Sequence, residues 1–297
     1  MIPRELILKG GDATIDYGAC TMKRQSICGP GAVTGGLALS LLLGTILSPC
    51  TAHAQAKKVS RSVVYRNVTL EFDASLAKEY LAETIPAVPL ENPTDKPDGV
   101  APQHTLITLK DSYAAHLHRE RSSPFAIPRI YVFPATDNQD PRFNEEYPTL
   151  RQAVSDLNTL LGRRAGASPE SIPFLPWADE RQLFIGRKKM VRFRDGRGVF
   201  FLTQYDQEAA PVTNASLVYT FQGLTDDNEW YVSAIFPVAA HGLPASGHGG
   251  GGEAFPAGYD EYIRQTTDRL NRLPSKDFTP GMALLEEIIR SLKVGPR

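Results

Sequence analysis

His116 and His118 are the residues whose type and spacing point most directly to chemistry. If residues 113–118 form a strand, the two imidazoles share one face with alpha carbons about 6.5 to 7 Å apart, close enough to hold one divalent metal. A third ligand would have to arrive through tertiary folding from His104, His241 or His248, and the neighbouring Arg119 opposes a cation. The plainer reading is a pair of polar residues on the wet face of a strand. A second cluster is basic: Arg187, Lys188, Lys189, Arg192, Arg194 and Arg197 crowd one short segment. Strand alternation places Lys188, Arg192 and Arg194 on one face and Lys189, Val191 and Phe193 on the other. The first face suits an anionic ligand or lipid headgroups; its plainer role is a solvated surface that guards a strand edge against pairing. The Gly-rich segment 247–253 lacks the Lys and Ser or Thr of a phosphate-binding loop, and it reads as a surface loop able to serve as a lid. Asp137, Asp140, Asp226, Asp227 and Glu229 fall in turn-forming stretches, where short acidic side chains serve the backbone. The sequence holds no Gly-x-Ser-x-Gly elbow, His-Glu-x-x-His pair, phosphate loop or dinucleotide fingerprint, so no catalytic residues are assigned.

The elements that must position these residues follow from periodicity. Residues 67–72 alternate polar and apolar, placing Val68, Leu70 and Phe72 on the buried face of a strand. A short helix is expected over 75–83, then a Pro-rich surface connection over 86–103 with Pro86, Pro89, Pro93, Pro97 and Pro102. Strands are expected at 105–110, 113–118 and 128–133. Leu150, Val154, Leu157 and Leu161 recur at helical spacing, predicting a helix over 148–161 with Pro148 near its start. Two hairpins follow. The first joins 189–193 to 199–205 through Asp195-Gly196, with Arg197-Gly198 suggesting a loop longer than two residues. The second joins 216–222 to 229–236. Helices are expected over 259–270 and after Thr279, which would act as cap with Pro280 as first residue and Leu284, Leu285, Ile288, Ile289 and Leu292 buried. Strands followed by helices give an α+β fold, an antiparallel sheet with helices packed on it, in a single mature domain.

The amino-terminal part reads as an export signal. No charged residue occurs between Gln25 and Ala56, and residues 37–47 form an apolar run shorter than the roughly 20 residues a membrane span requires. Met22-Lys23-Arg24 supplies the positive start, so Met22 is the expected initiator. The small residues of Ala52-His53-Ala54-Gln55-Ala56 place cleavage after Ala56, with Ala54 as the alternative. Residues 1–56 are thus a signal peptide, 57–103 an amino-terminal strand, short helix and connection, and 104–297 the main domain. Two rival outcomes are an uncleaved anchor and lipidation at Cys50, where Pro49 departs from the lipoprotein pattern. Cys20, Cys28 and Cys50 are the only cysteines and all precede the cut, so the mature chain has no disulfide, thiolate nucleophile or Cys-ligated metal. Removing the signal leaves 28 basic against 30 acidic residues, a net charge of −2 that gives no sign of a nucleic-acid binder, and none is expected as a partner.

Ile172-Pro173-Phe174-Leu175-Pro176, Leu202-Thr203-Gln204-Tyr205 and Tyr219-Thr220-Phe221-Gln222-Gly223-Leu224-Thr225, with Trp230-Tyr231-Val232-Ser233-Ala234, resemble an uncharacterised family of exported bacterial proteins. Residues 185–295, a long hairpin followed by a loop and two helices, resemble PsbP and Mog1-like domains. That resemblance implies a non-catalytic binding or accessory role. Two functions are therefore expected in order: a secreted or periplasmic binding or accessory protein without a cofactor, acting on a small molecule or protein partner, or a metal-dependent protein using His116 and His118.

Overall fold

The computed structural model describes residues 59–88, 100–117, 123, 125–137, 140, 142–162, 171–176, 180–246 and 258–296. The first half contains strands β1 (Ser60–Tyr65), β2 (Val68–Asp73), β3 (Ala77–Ile85), β4 (His104–Ser112) and β5 (Arg129–Pro134), then helices α1 (Phe143–Glu146) and α2 (Pro148–Gly162). The second half contains β6 (Arg181–Gln182), β7 (Gly186–Phe193), β8 (Gly196–Thr203), β9 (Tyr205–Asp206), β10 (Val218–Thr225), β11 (Trp230–Pro237) and β12 (Ala239–Ala240). Helix α3 (Tyr259–Arg272), β13 (Phe278–Thr279), helix α4 (Met282–Ser291) and β14 (Lys293–Val294) complete the chain.

A seven-stranded sheet in the order β3-β4-β5-β11-β10-β8-β7 is antiparallel throughout. Two meanders, β3-β4-β5 and β7-β8-β10-β11, meet where β5 pairs with β11. Side chains alternate across the sheet, so Ile130, Val132, Phe200 and Leu202 enter one core while Tyr131, Phe133, Val199 and Phe201 enter the other. Burial on both faces is why these strands read as continuous apolar runs. Leu150, Leu157 and Leu161 of α2 cover the Tyr131 face. The Ile130 face is covered by Leu270 of α3, by Leu285, Ile288 and Ile289 of α4, and by Val68, Leu70 and Phe72 of the small β1-β2-β14 sheet. This is a mixed α+β architecture with helices on an antiparallel sheet.

Gly198 and Gly223 lie directly opposite each other on β8 and β10. A Cβ at Gly198 would sit 2.3 Å from the Gln222 carbonyl oxygen and 2.4 Å from Cζ of Phe221, so the Phe221 ring occupies the space that two absent side chains leave. Phe221 and Phe193 meet edge to face at 6.0 Å.

Several local expectations hold. The strand over 67–72 is β2, with Val68, Leu70 and Phe72 buried. The helix over 148–161 is α2, both hairpins form, and the helix over 259–270 is α3. Four differ. The helix expected over 75–83 is instead β3, because its residues pair with β4 from Ala77↔Ser112 to Ile85↔His104; sheet pairing outweighs the helix propensity of Ala, Lys, Glu and Leu. The strand expected over 113–118 is a one-turn 3-10 helix, Tyr113–His116, entered through Asp111 at φ 45°, which breaks the extended run. The first hairpin loop is the two residues Arg194-Asp195, since Phe193 pairs with Gly196. Gly196 is already in the strand, where a Cβ would fall 2.4 Å from the Leu224 carbonyl oxygen. Finally, Thr279 does not cap the last helix: it pairs with Ala239 in extended conformation, and α4 begins after Gly281. The signal peptide, with Met22, Cys50, Ala54 and Ala56, lies outside the described residues, as does segment 247–253.

Candidate functional site: a cleft at one end of the sheet

Register brings together residues that are far apart in sequence. Pairing of β3 with β4 sets Thr84 opposite Thr105 and Ile85 opposite His104, and pairing of β5 with β11 sets Pro134 opposite Trp230. These strand ends share one edge of the sheet. The chain leaving β5 then passes Asp137 and Asp140 into α1, adding Phe143, Glu146 and Tyr147. The β1-β2 turn adds Arg66 and Asn67, and Asn67 is fixed by donating from Nδ2 to the Gly295 carbonyl at 3.0 Å. Together they enclose a cleft of about 300 Å³.

The floor is aromatic. His104 is 4% exposed, and its ring centroid lies 4.4 Å from that of Phe133 and 6.0 Å from that of Tyr131. Its Nδ1 is 2.8 Å from the Pro102 carbonyl oxygen, which makes Nδ1 the donor. The Trp230 indole Nε1 is buried and finds no acceptor among the described residues. On the opposite wall the Phe143 and Tyr147 ring centroids are 5.1 Å apart. The rim is acidic. Asp140 accepts the Arg142 N–H through Oδ1 at 2.9 Å, a turn-forming bond, and Glu146 Oε1 lies 3.6 Å from Arg142. Burial, reinforced by the negative charge of Glu146 and then Asp140, pushes the Tyr147 phenol above its ordinary pKa. The sequence reading of Asp140 as a backbone-serving residue is met by this turn, and the fold adds that the same residue lines the cleft.

The basic hairpin is built differently. Arg192 and Arg194 are exposed while Val191 and Phe193 are buried, as alternation predicts; Lys188 is exposed within a bulge, and Lys189, expected on the face of Val191, is exposed as well. A bulge between Gly186 and Lys189 places Arg187 at φ 49°. From there its guanidinium donates to the Asn271 and Leu273 carbonyls at 3.2 and 2.5 Å, capping the carboxyl end of α3, and stands 5.3 Å above the Phe278 ring. Lys189 pairs with Glu286 of α4 at 2.6 Å, and Glu286 also accepts from the Tyr219 hydroxyl at 3.2 Å. Arg192 pairs with Asp226 at 2.8 Å. Asp227, in the same loop, accepts the Glu229 N–H at 2.9 Å. Much of this charge therefore joins helices and loops to the sheet.

His116 is exposed on its 3-10 turn, whereas His118, Arg119 and His248 lie outside the described residues. His241 is exposed beside β12, and His104 is in the cleft. Among the described residues no three His, Cys, Asp or Glu side chains are grouped to hold a metal ion.

The residues that carried the family resemblance form a buried amide network. Gln222 accepts from the Leu175 N–H at 3.3 Å and the Tyr231 hydroxyl at 2.8 Å, and donates to Thr220 and Ser233 at 3.0 and 2.9 Å. Ser233 donates to the Leu175 carbonyl. Gln204 holds the Thr213 N–H and the Pro211 carbonyl, and Gln182 holds the Ile172 N–H. These glutamines satisfy loop backbone that would otherwise be buried without partners. Compared with known proteins, the chain matches no family model and no curated sequence.

His104, Tyr147 and Trp230 were not singled out by spacing. In the sequence His104 stands only as a distant third metal ligand and Trp230 only as part of the resemblance, and Tyr147 carries no signal beyond its place before a predicted helix.

Proposed function

We propose that this chain is an exported, non-catalytic binding or accessory protein, secreted or periplasmic, and that the cleft between Trp230 and Tyr147 is its ligand site. The observation that carries this reading is the cleft of about 300 Å³ itself, lined by the aromatic residues Phe143, Tyr147 and Trp230 and by the polar groups of Asp137, Asp140 and Glu146. The cleft is at the lower end of the range of small-molecule sites, about 300 to 1,000 Å³. Export rests on the uncharged stretch before Lys57 and its small-residue cleavage pattern. Among the described residues no helix is long and apolar enough to cross a membrane. Val59–Arg297 fall in the same compact unit, which favours a single mature domain.

The test has two arms. Intact mass of the exported protein is expected to begin at Lys57; a mass retaining residues 22–56, or a lipidated Cys50, overturns the cleavage. The purified mature chain is then screened by Trp fluorescence against small charged and neutral compounds. Trp230→Phe is expected to remove the response, and a response unchanged by that substitution moves the site elsewhere.

A further inference from the structure

We infer that the cleft selects a small organic cation, an ammonium-bearing ligand. This inference rests on the cleft being the ligand site and adds the chemistry of what enters it. Among the described residues three carboxylates line the cleft, Asp137, Asp140 and Glu146, against one guanidinium, that of Arg66. Among the described residues Asp140 meets a protein donor through Oδ1 alone, and Glu146 meets Arg142 through Oε1 alone. The raised Tyr147 phenol reports the same field from inside the cleft, because the charges that reinforce its burial are those of Glu146 and Asp140. A negative field of this kind disfavours an anion.

The walls distinguish an organic cation from a metal ion. A hard divalent cation takes six or more oxygen ligands, whereas this cleft sets aromatic rings of Phe143, Tyr147 and Trp230 among separate carboxylates. Ring faces attract ammonium and quaternary ammonium groups through the aromatic quadrupole, and carboxylates on the rim add charge without having to coordinate. Arg66 is exposed, so its charge is screened by solvent more than the field around Tyr147.

The experiment uses the full mature chain carrying Trp177→Phe, which leaves Trp230 as the single tryptophan reporter of the two in the sequence. Its probes are acetylcholine and the uncharged isostere in which carbon replaces the quaternary nitrogen. Acetylcholine is expected to bind at least about tenfold more tightly. Asp140→Asn and Glu146→Gln, each checked for an unchanged thermal midpoint, are expected to collapse that ratio toward unity, and added salt to reduce it. Equal binding of both probes overturns the charge selection and leaves the cleft as a binding site. Tighter binding of acetate or phosphate than of acetylcholine overturns it in the opposite sense. If no cationic, neutral or anionic probe perturbs Trp230, the cleft is not the ligand site and both readings fall.

Discussion

In the β7-β8 hairpin, cations meet partners on other elements of the fold, whereas in the cleft Asp140 and Glu146 each meet a local partner through a single oxygen among the described residues. Arg187 ends α3, Lys189 reaches Glu286, and Arg192 reaches Asp226. The difference teaches that density of charge along a sequence does not mark a binding face. What marks it is charge left over after the fold has been satisfied.

Substitutions can break or sharpen this contrast. The largest effect is expected at Glu286, 8% exposed, whose removal leaves the buried Tyr219 hydroxyl without its acceptor and breaks the pair with Lys189. Glu286→Ala should cost about 2 to 3 kcal/mol in urea unfolding, and a loss below about 1 kcal/mol would mean that the hairpin charges are not structural. Arg187→Ala comes next at about 1 to 2 kcal/mol, since it uncaps α3 and removes the Phe278 contact. Arg192→Ala should cost no more than about 0.5 kcal/mol, because both members of its pair are more than half exposed. Asp140→Asn and Glu146→Gln should leave stability within about 0.5 kcal/mol, so that any change in probe binding reports the cleft and not the fold.

The smallest effect is expected at Asp195 and is a matter of pH. Burial raises its carboxyl pKa despite the Val294 N–H donated to Oδ2 at 2.8 Å, and Oδ1 has no partner among the described residues. A carboxyl raised in the folded state stabilises the fold where it is protonated. That contribution is present below the unfolded value, near 3.9, and is lost as pH rises through the folded value. Asp195→Asn can keep an oxygen for Val294 and has no charge to bury. Its thermal midpoint should therefore gain on the parent protein as pH rises from about 4 to 7; a constant difference across that range would show that the carboxyl does not titrate abnormally.

The sheet's centre was legible in the sequence because β5 and β8 are buried on both faces and carry the apolar runs Ile130–Phe133 and Val199–Leu202, while β10 and β11 were marked by the turn between them. β3 was not, because Ala-Lys-Glu-Tyr-Leu-Ala-Glu is a helix-forming string at a sheet edge, and only its pairing with β4 makes it extended. The basic hairpin was correctly read as alternating, yet nothing in its spacing said that Arg187 would end a helix more than eighty residues later. The cleft was least legible. Its residues run from Arg66 to Trp230, and their proximity depends on strand register and not on any local motif.

Gln182, Gln204 and Gln222 grip main-chain N–H and carbonyl groups of the loops. An attachment made to backbone is indifferent to most of the side chains that the loop displays. Segments 172–176 and 211–213 therefore stay moored at the same points whatever their half-buried side chains, while Ile172, Leu175 and Val212 remain tied to the cores by burial.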